Sequence, residues 1–64
     1  VEEMARLTAR ELEILHLLSE GKSMKMIADS CFIAVYTVRT HVKRIYEKLQ
    51  VHSVTEALAK YNKR

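Results

Sequence analysis

Residues 35–49 read VYTVRTHVKRIYEKL, and the recurrence of their apolar positions decides the fold. Wound at about 100° per residue, Val38, Val42, Ile45 and Leu49 fall on one side of a helix, with Tyr36, Arg39, Thr40 and Lys43 on the other. Arg44 flanks the polar side. The apolar side is suited to a protein core. The opposite side carries two cations, a hydroxyl and a phenol, and nothing in it asks to be buried.

Upstream, Cys31-Phe32-Ile33 leaves only a tight turn before a short amphipathic segment at about residues 24–30. Ser23 can cap that segment, with Ile27, Ala28 and Cys31 facing inward. Two helices so close in sequence have the spacing of a helix-turn-helix, although the glycine often found in that turn is absent. Further upstream, Thr8 and Glu11 form a T-x-x-E capping box and Leu7 and Leu12 a hydrophobic staple. Leu12, Leu15 and Leu18, with Ile14 and Leu17 beside them, make the inward stripe of a first helix that Gly21 terminates. Downstream, Gln50-Val51-His52 connects to a second box, Ser53 with Glu56, which opens a helix over about 54–61 with Val54, Leu58 and Tyr61 on one stripe. Lys60, Lys63 and Arg64 place positive charge at its C-terminal end.

With no proline and one glycine in 64 residues, and no long β-branched alternation, the chain is expected to be all-α, a compact four-helix bundle containing a helix-turn-helix. Residues 1–6 show neither cap nor periodicity and are expected to be a linker end. Residues 7–62 form the domain and 63–64 a tail. The start at Val1 suggests a piece of a longer chain.

A chain this short buries only roughly 60% of its unfolded surface, so good caps matter to it. Its 48% hydrophobic content is nonetheless that of a globular protein. The single Cys31 cannot form an internal disulfide, and no apolar run approaches the ~18 residues of a membrane span. A cytoplasmic location and no membrane partner are therefore expected. Net charge is only +3, but it is unevenly placed. Glu2, Glu3, Glu11, Glu13 and Glu20 outnumber Arg6 and Arg10 in the first 20 residues, and the basic residues dominate the remainder. That asymmetry implies a directed basic face.

An α-helix fits the major groove of DNA, and the polar side of 35–49 suits a polyanion with readable hydrogen-bonding edges. The stretch is therefore expected to be a recognition helix on double-stranded DNA. Arg39 is the foremost base contact, because its guanidinium fork matches the O6/N7 edge of guanine; the alternative is a solvated surface arginine. Thr40 can meet a thymine methyl or a base edge, and Lys43 a base or a phosphate. Tyr36, Thr37, Lys22, Lys25, Arg44 and Lys48 are assigned to the DNA backbone, which orients the domain without reading sequence. Lys48 can instead pair with a nearby acid.

His41, at the edge between the two sides, is expected to be packed and hydrogen-bonded, and Cys31 to be a small core residue. Met26 is read as core or neutral surface, while Met24 is left open between gap-filler and contact surface. His16, His41, His52 and Cys31 have no ligand spacing, so no metal is expected. The glutamates are placed on outer faces, the serines lack a paired base, and no glycine-rich phosphate loop is present. No enzyme activity, cofactor or small-molecule ligand is expected.

Leu7-Thr8-Ala9-Arg10-Glu11, Gly21, Ile27-Ala28, Thr37-Val38-Arg39 with His41, Ile45, Lys48-Leu49, and Ser53 with Glu56-Ala57 together resemble the LuxR-type (GerE/NarL-like) helix-turn-helix domain, over roughly residues 7–61. The resemblance implies the output domain of a bacterial transcription regulator, commonly a two-component response regulator. It also implies a homodimer paired through the fourth helix by Val51, Val54, Leu58 and Tyr61, with RNA polymerase as a further candidate partner. The chain departs from the family at Met24, Met26, Ala34 and Val35, usually polar positions, and at Val54, where arginine is common. Ala34 in place of a serine cap forgoes about 1 kcal/mol at the start of the third helix. Two alternatives remain at this point: a sigma-factor region 4-like promoter reader, and a helical protein-interaction module.

Overall fold

The computed structural model describes residues 3–63, which form four α-helices after one turn of 3-10 helix at Glu3–Arg6. The helices are α1 (Ala9–Ser19), α2 (Met24–Cys31), α3 (Val35–Leu49) and α4 (Val54–Asn62). Three of them, α1, α2 and α4, begin where a side-chain cap predicts. Thr8 Oγ1 accepts from Glu11 N at 3.1 Å and Glu11 Oε1 from Thr8 N at 2.9 Å, so the first capping box is complete. Ser23 and Ser53 accept from Met26 N and Glu56 N, each at 3.2 Å. The second box differs in one half. Glu56 Oε1 takes the His52 N–H at 2.7 Å instead of that of Ser53, one residue further back. Ala34 starts α3 with no side-chain cap.

Three helices end in one way. Lys22 N bonds Leu17 O, Ile33 N bonds Ala28 O, and Val51 N bonds Tyr46 O, at 3.0–3.2 Å. Each bond closes the last turn over a left-handed residue, respectively Gly21 (φ +83°), Phe32 (+58°) and Gln50 (+56°). The glycine missing from the helix-turn-helix is thus replaced by Phe32 holding the same backbone.

Ile14, Leu15, Ile27, Val38, Ile45, Leu49 and Ala57 are wholly buried, one or more from every α-helix. Leu12, Leu17 and Leu18 pack around them half-buried, so Ile14 and Leu15, not the outer leucines, carry the centre of α1. Two expectations fail here. Met4, in the segment read as a linker end, is in the core together with Leu7, and a lone apolar residue in a single turn leaves no periodic signal. Glu11, placed on an outer face, is only 2% exposed. Its helix position is set by the cap, and α3 covers it from the other side.

Candidate nucleic-acid interface

The burial of α3 follows its sequence pattern. Val38, Val42, Ile45 and Leu49 are inside, while Tyr36, Arg39, Lys43 and Arg44 are exposed. Among the described residues, no ion pair engages Arg39, Lys43 or Arg44, although Glu47 is within helical reach of Lys43 and Arg44. Thr40 is half-buried and its hydroxyl donates to Tyr36 O at 3.2 Å. That leaves its methyl and oxygen lone pairs for an outside contact. Thr37 is half-buried in the first turn, and Tyr36 beside it is 78% exposed. Lys25 is exposed on α2 and Lys22 half-exposed just before it. Lys25, Tyr36, Thr37, Arg39, Thr40, Lys43 and Arg44, seven of the nine predicted DNA-contact residues, are thus exposed or half-buried on α2 and α3, with Lys22 adjoining.

Lys48 does not join them. Its ammonium lies 2.7 Å from Glu11 Oε1 and is engaged with α1, the alternative named from sequence. Burial pushes the Glu11 carboxyl up. The hydrogen bond from Lys48, the backbone N–H of Thr8 and the charges of Lys48 and His41 outweigh it, and hold the group below its ordinary value. The pair fixes the N-terminal turn of α1 on the C-terminal half of α3. His41 lies on the same flank, but its Nδ1 is buried without a hydrogen-bond partner, so the expected bond is not made there.

The residues assigned to a pairing surface differ in exposure. Val51 and Tyr61 are 7% and 8% exposed within the domain itself, and the Tyr61 hydroxyl lies 2.8 Å from His16 Nδ1. Both are thus engaged mainly within this core. Val54, at 36% exposed, and half-buried Leu58 remain available on α4. Cys31 and half-buried Met24 pack with the core, whereas Met26 is 49% exposed. Among the described residues, no three of His, Cys, Asp or Glu gather as a metal site, and no helix is long and apolar enough to cross a membrane.

Sequence reasoning missed Glu11 as an anchor of α3, because its partner is 37 residues away and no local pattern records such a contact. It also missed an open groove at the end of α3 whose walls come from both helix and loop.

A recognition-type helix braced by a shorter helix through a tight turn, with free cations on its outer face, defines a helix-turn-helix DNA-binding domain. The chain belongs to the luxR family of bacterial regulatory proteins, whose GerE family model matches residues 5–60. That match selects the LuxR-type fold over the sigma-factor alternative. Curated relatives include the transcriptional regulatory protein LiaR of Bacillus subtilis, 51% identical over 80% of this chain and 24% of that protein. Others are the probable transcriptional regulatory protein NarL of Mycobacterium tuberculosis, 45% identical over 83% of this chain and 24% of its own, and the response regulator protein VraR of Staphylococcus aureus, 46% identical over 81% and 25%. The chain therefore spans about a quarter of the length of the relatives it matches.

Proposed function

We propose that this domain is the sequence-reading output module of a response regulator. It sets α3 in the major groove, with Arg39, Thr40 and Lys43 toward base edges and Lys22, Lys25, Tyr36, Thr37 and Arg44 toward phosphates. The observation that carries this reading is the contrast within α3 between Val38, Val42, Ile45 and Leu49, buried to 4% exposure or less, and the exposed Arg39, Lys43 and Arg44 with no ion-pair partner among the described residues. A cationic face kept free of internal pairs is available to a polyanion at no cost in broken contacts. Two copies paired through Val54 and Leu58 of α4 would meet half-sites about one helical turn, roughly 10 bp, apart. Single domains read few base pairs, so control of pairing by an upstream domain is the natural route of regulation.

Titration against duplex DNA at several salt concentrations tests the reading. Binding should weaken linearly in log–log terms, with a slope set by the phosphates contacted. Arg39→Ala should cost about 1–3 kcal/mol on a selected site and relax preference at one base pair, while Lys25→Ala should weaken every sequence about equally. Wild-type discrimination by Arg39→Ala in a binding-site selection would remove that residue from base readout. A salt-independent affinity would favour the protein-interaction alternative instead. For pairing, Leu58→Glu should shift the full chain toward monomer in sedimentation, and an unchanged balance excludes α4.

A further inference from the structure

Beyond Lys43, the outer line of α3 does not end. Counting at about 100° per residue, Tyr36, Thr40, Lys43 and Glu47 lie within one narrow arc, and the line leads into Gln50 at the helix end. There it meets an open groove of about 510 Å³ bounded by Lys43, Tyr46, Glu47, Gln50, Val51 and His52. Val51 and half-buried Tyr46 form its floor, while Lys43, Glu47, Gln50 and His52 stand exposed around it. None of these four side chains has a hydrogen bond or ion pair within the described residues. The His52 backbone N–H is taken by Glu56, which leaves its ring alone facing outward.

Gln50 is the informative residue. It occupies a left-handed conformation that glycine adopts without strain, and its side chain is exposed. It packs against nothing in the core, so the fold gains little from a side chain there. We infer that this groove holds a phosphodiester of the bound DNA strand, with the Gln50 amide and the His52 ring as its N–H donors and no cation of its own on that phosphate. The inference rests on α3 lying in the major groove. Lys43 belongs both to the outer line and to the groove wall, so a strand running along the edge of that line passes over Gln50 and His52. Glu47 on the same wall opposes the phosphate. Lys43, one turn earlier, offsets its charge, and the donors outnumber it.

The test adds a cation to the groove. Gln50→Lys keeps a long, unbranched side chain in the same backbone conformation, and Phe32→Lys makes the equivalent change at the other exposed non-glycine left-handed position, off the outer line. Affinity of the full chain for a short random-sequence duplex is measured from about 50 to 200 mM salt, alongside thermal melting of each variant. The expected result is that Gln50→Lys steepens the log–log slope by about 0.9, as one more phosphate contact requires, while Phe32→Lys leaves it unchanged. Gln50→Gly should melt higher than wild type and yet bind about tenfold more weakly on all sequences alike. An unchanged slope for Gln50→Lys, or an equal steepening for Phe32→Lys, overturns the inference. So does a Gln50→Gly defect confined to one base pair, which would assign the groove to a base edge. If Arg39→Ala also leaves specific binding intact, the major-groove reading fails; if Arg39→Ala impairs binding and Gln50→Lys does nothing, only the groove is lost.

Discussion

Removal of the Lys48 ammonium, as in Lys48→Met, should destabilise the domain through Glu11. The Glu11 carboxylate is 2% exposed and accepts from Lys48 Nζ at 2.7 Å and Thr8 N at 2.9 Å, both at Oε1. Breaking a buried pair by removing one partner costs about 3–5 kcal/mol, because the remaining charge stays buried. Two features lower that figure here. The Lys48 side chain is 34% exposed, so solvent already screens part of the attraction, and the Thr8 backbone bond survives the substitution. A loss of about 2 kcal/mol follows, which for a domain this small lowers Tm by roughly 8–16 °C. The pH dependence carries an independent sign. Because the folded carboxyl lies below its ordinary value of 4.5, its contribution to stability is fully present above that pH and is lost as pH falls through the lower, folded value. In Lys48→Met the largest cause of the lowering is gone, leaving burial opposed only by the Thr8 N–H and the His41 charge, so the acid limb of the stability curve should move to higher pH. Urea unfolding of both proteins between about pH 3 and 7 measures both effects. A change within about 0.5 kcal/mol at neutral pH, with an unshifted acid limb, would refute the argument that Glu11 is held charged by Lys48.

The cap positions give a separate prediction about the fold alone. Ala34→Ser supplies the missing side-chain acceptor at the start of α3 and should raise stability by about 1 kcal/mol, since Ala34 already has the extended backbone of a cap residue. Phe32→Gly should stabilise by a similar amount, about 1 kcal/mol, because the ring is 93% exposed and only its left-handed backbone is changed. Denaturant midpoints check both, and a lower midpoint for Phe32→Gly would mean that the ring packs against something.

The positions of the helices were legible because each is announced by a local chemical event. Thr8, Ser23 and Ser53 place three starts, and the spacing of Val38, Val42, Ile45 and Leu49 fixes the orientation of α3 before any tertiary contact is known. The exposed cations of the candidate site were legible for the same reason, since exposure on a helix is the complement of its buried stripe. What escaped was set by contacts distant in sequence. Glu11 looks like an ordinary capping residue until α3 covers it. Lys48 looks like one more cation on a basic helix, although it is spent on that carboxylate. Tyr61 shares the apolar character of Val54 and Leu58 on α4, and Val51 lies in the connection just before it; the sequence has no means of saying which of these apolar residues face inward over so short a stretch. This division has a physical consequence for α3. The apolar stripe sets which face α3 turns to the core, and its C-terminal end is further held by Glu11–Lys48 and by the Lys60 ammonium, 2.7 Å from Leu49 O. The uncapped N-terminal end carries Tyr36, Arg39 and Thr40. The anchored end therefore holds the register, while the other end has no side-chain cap among the described residues, an arrangement that would suit a helix presenting that end to a ligand and located by the opposite one.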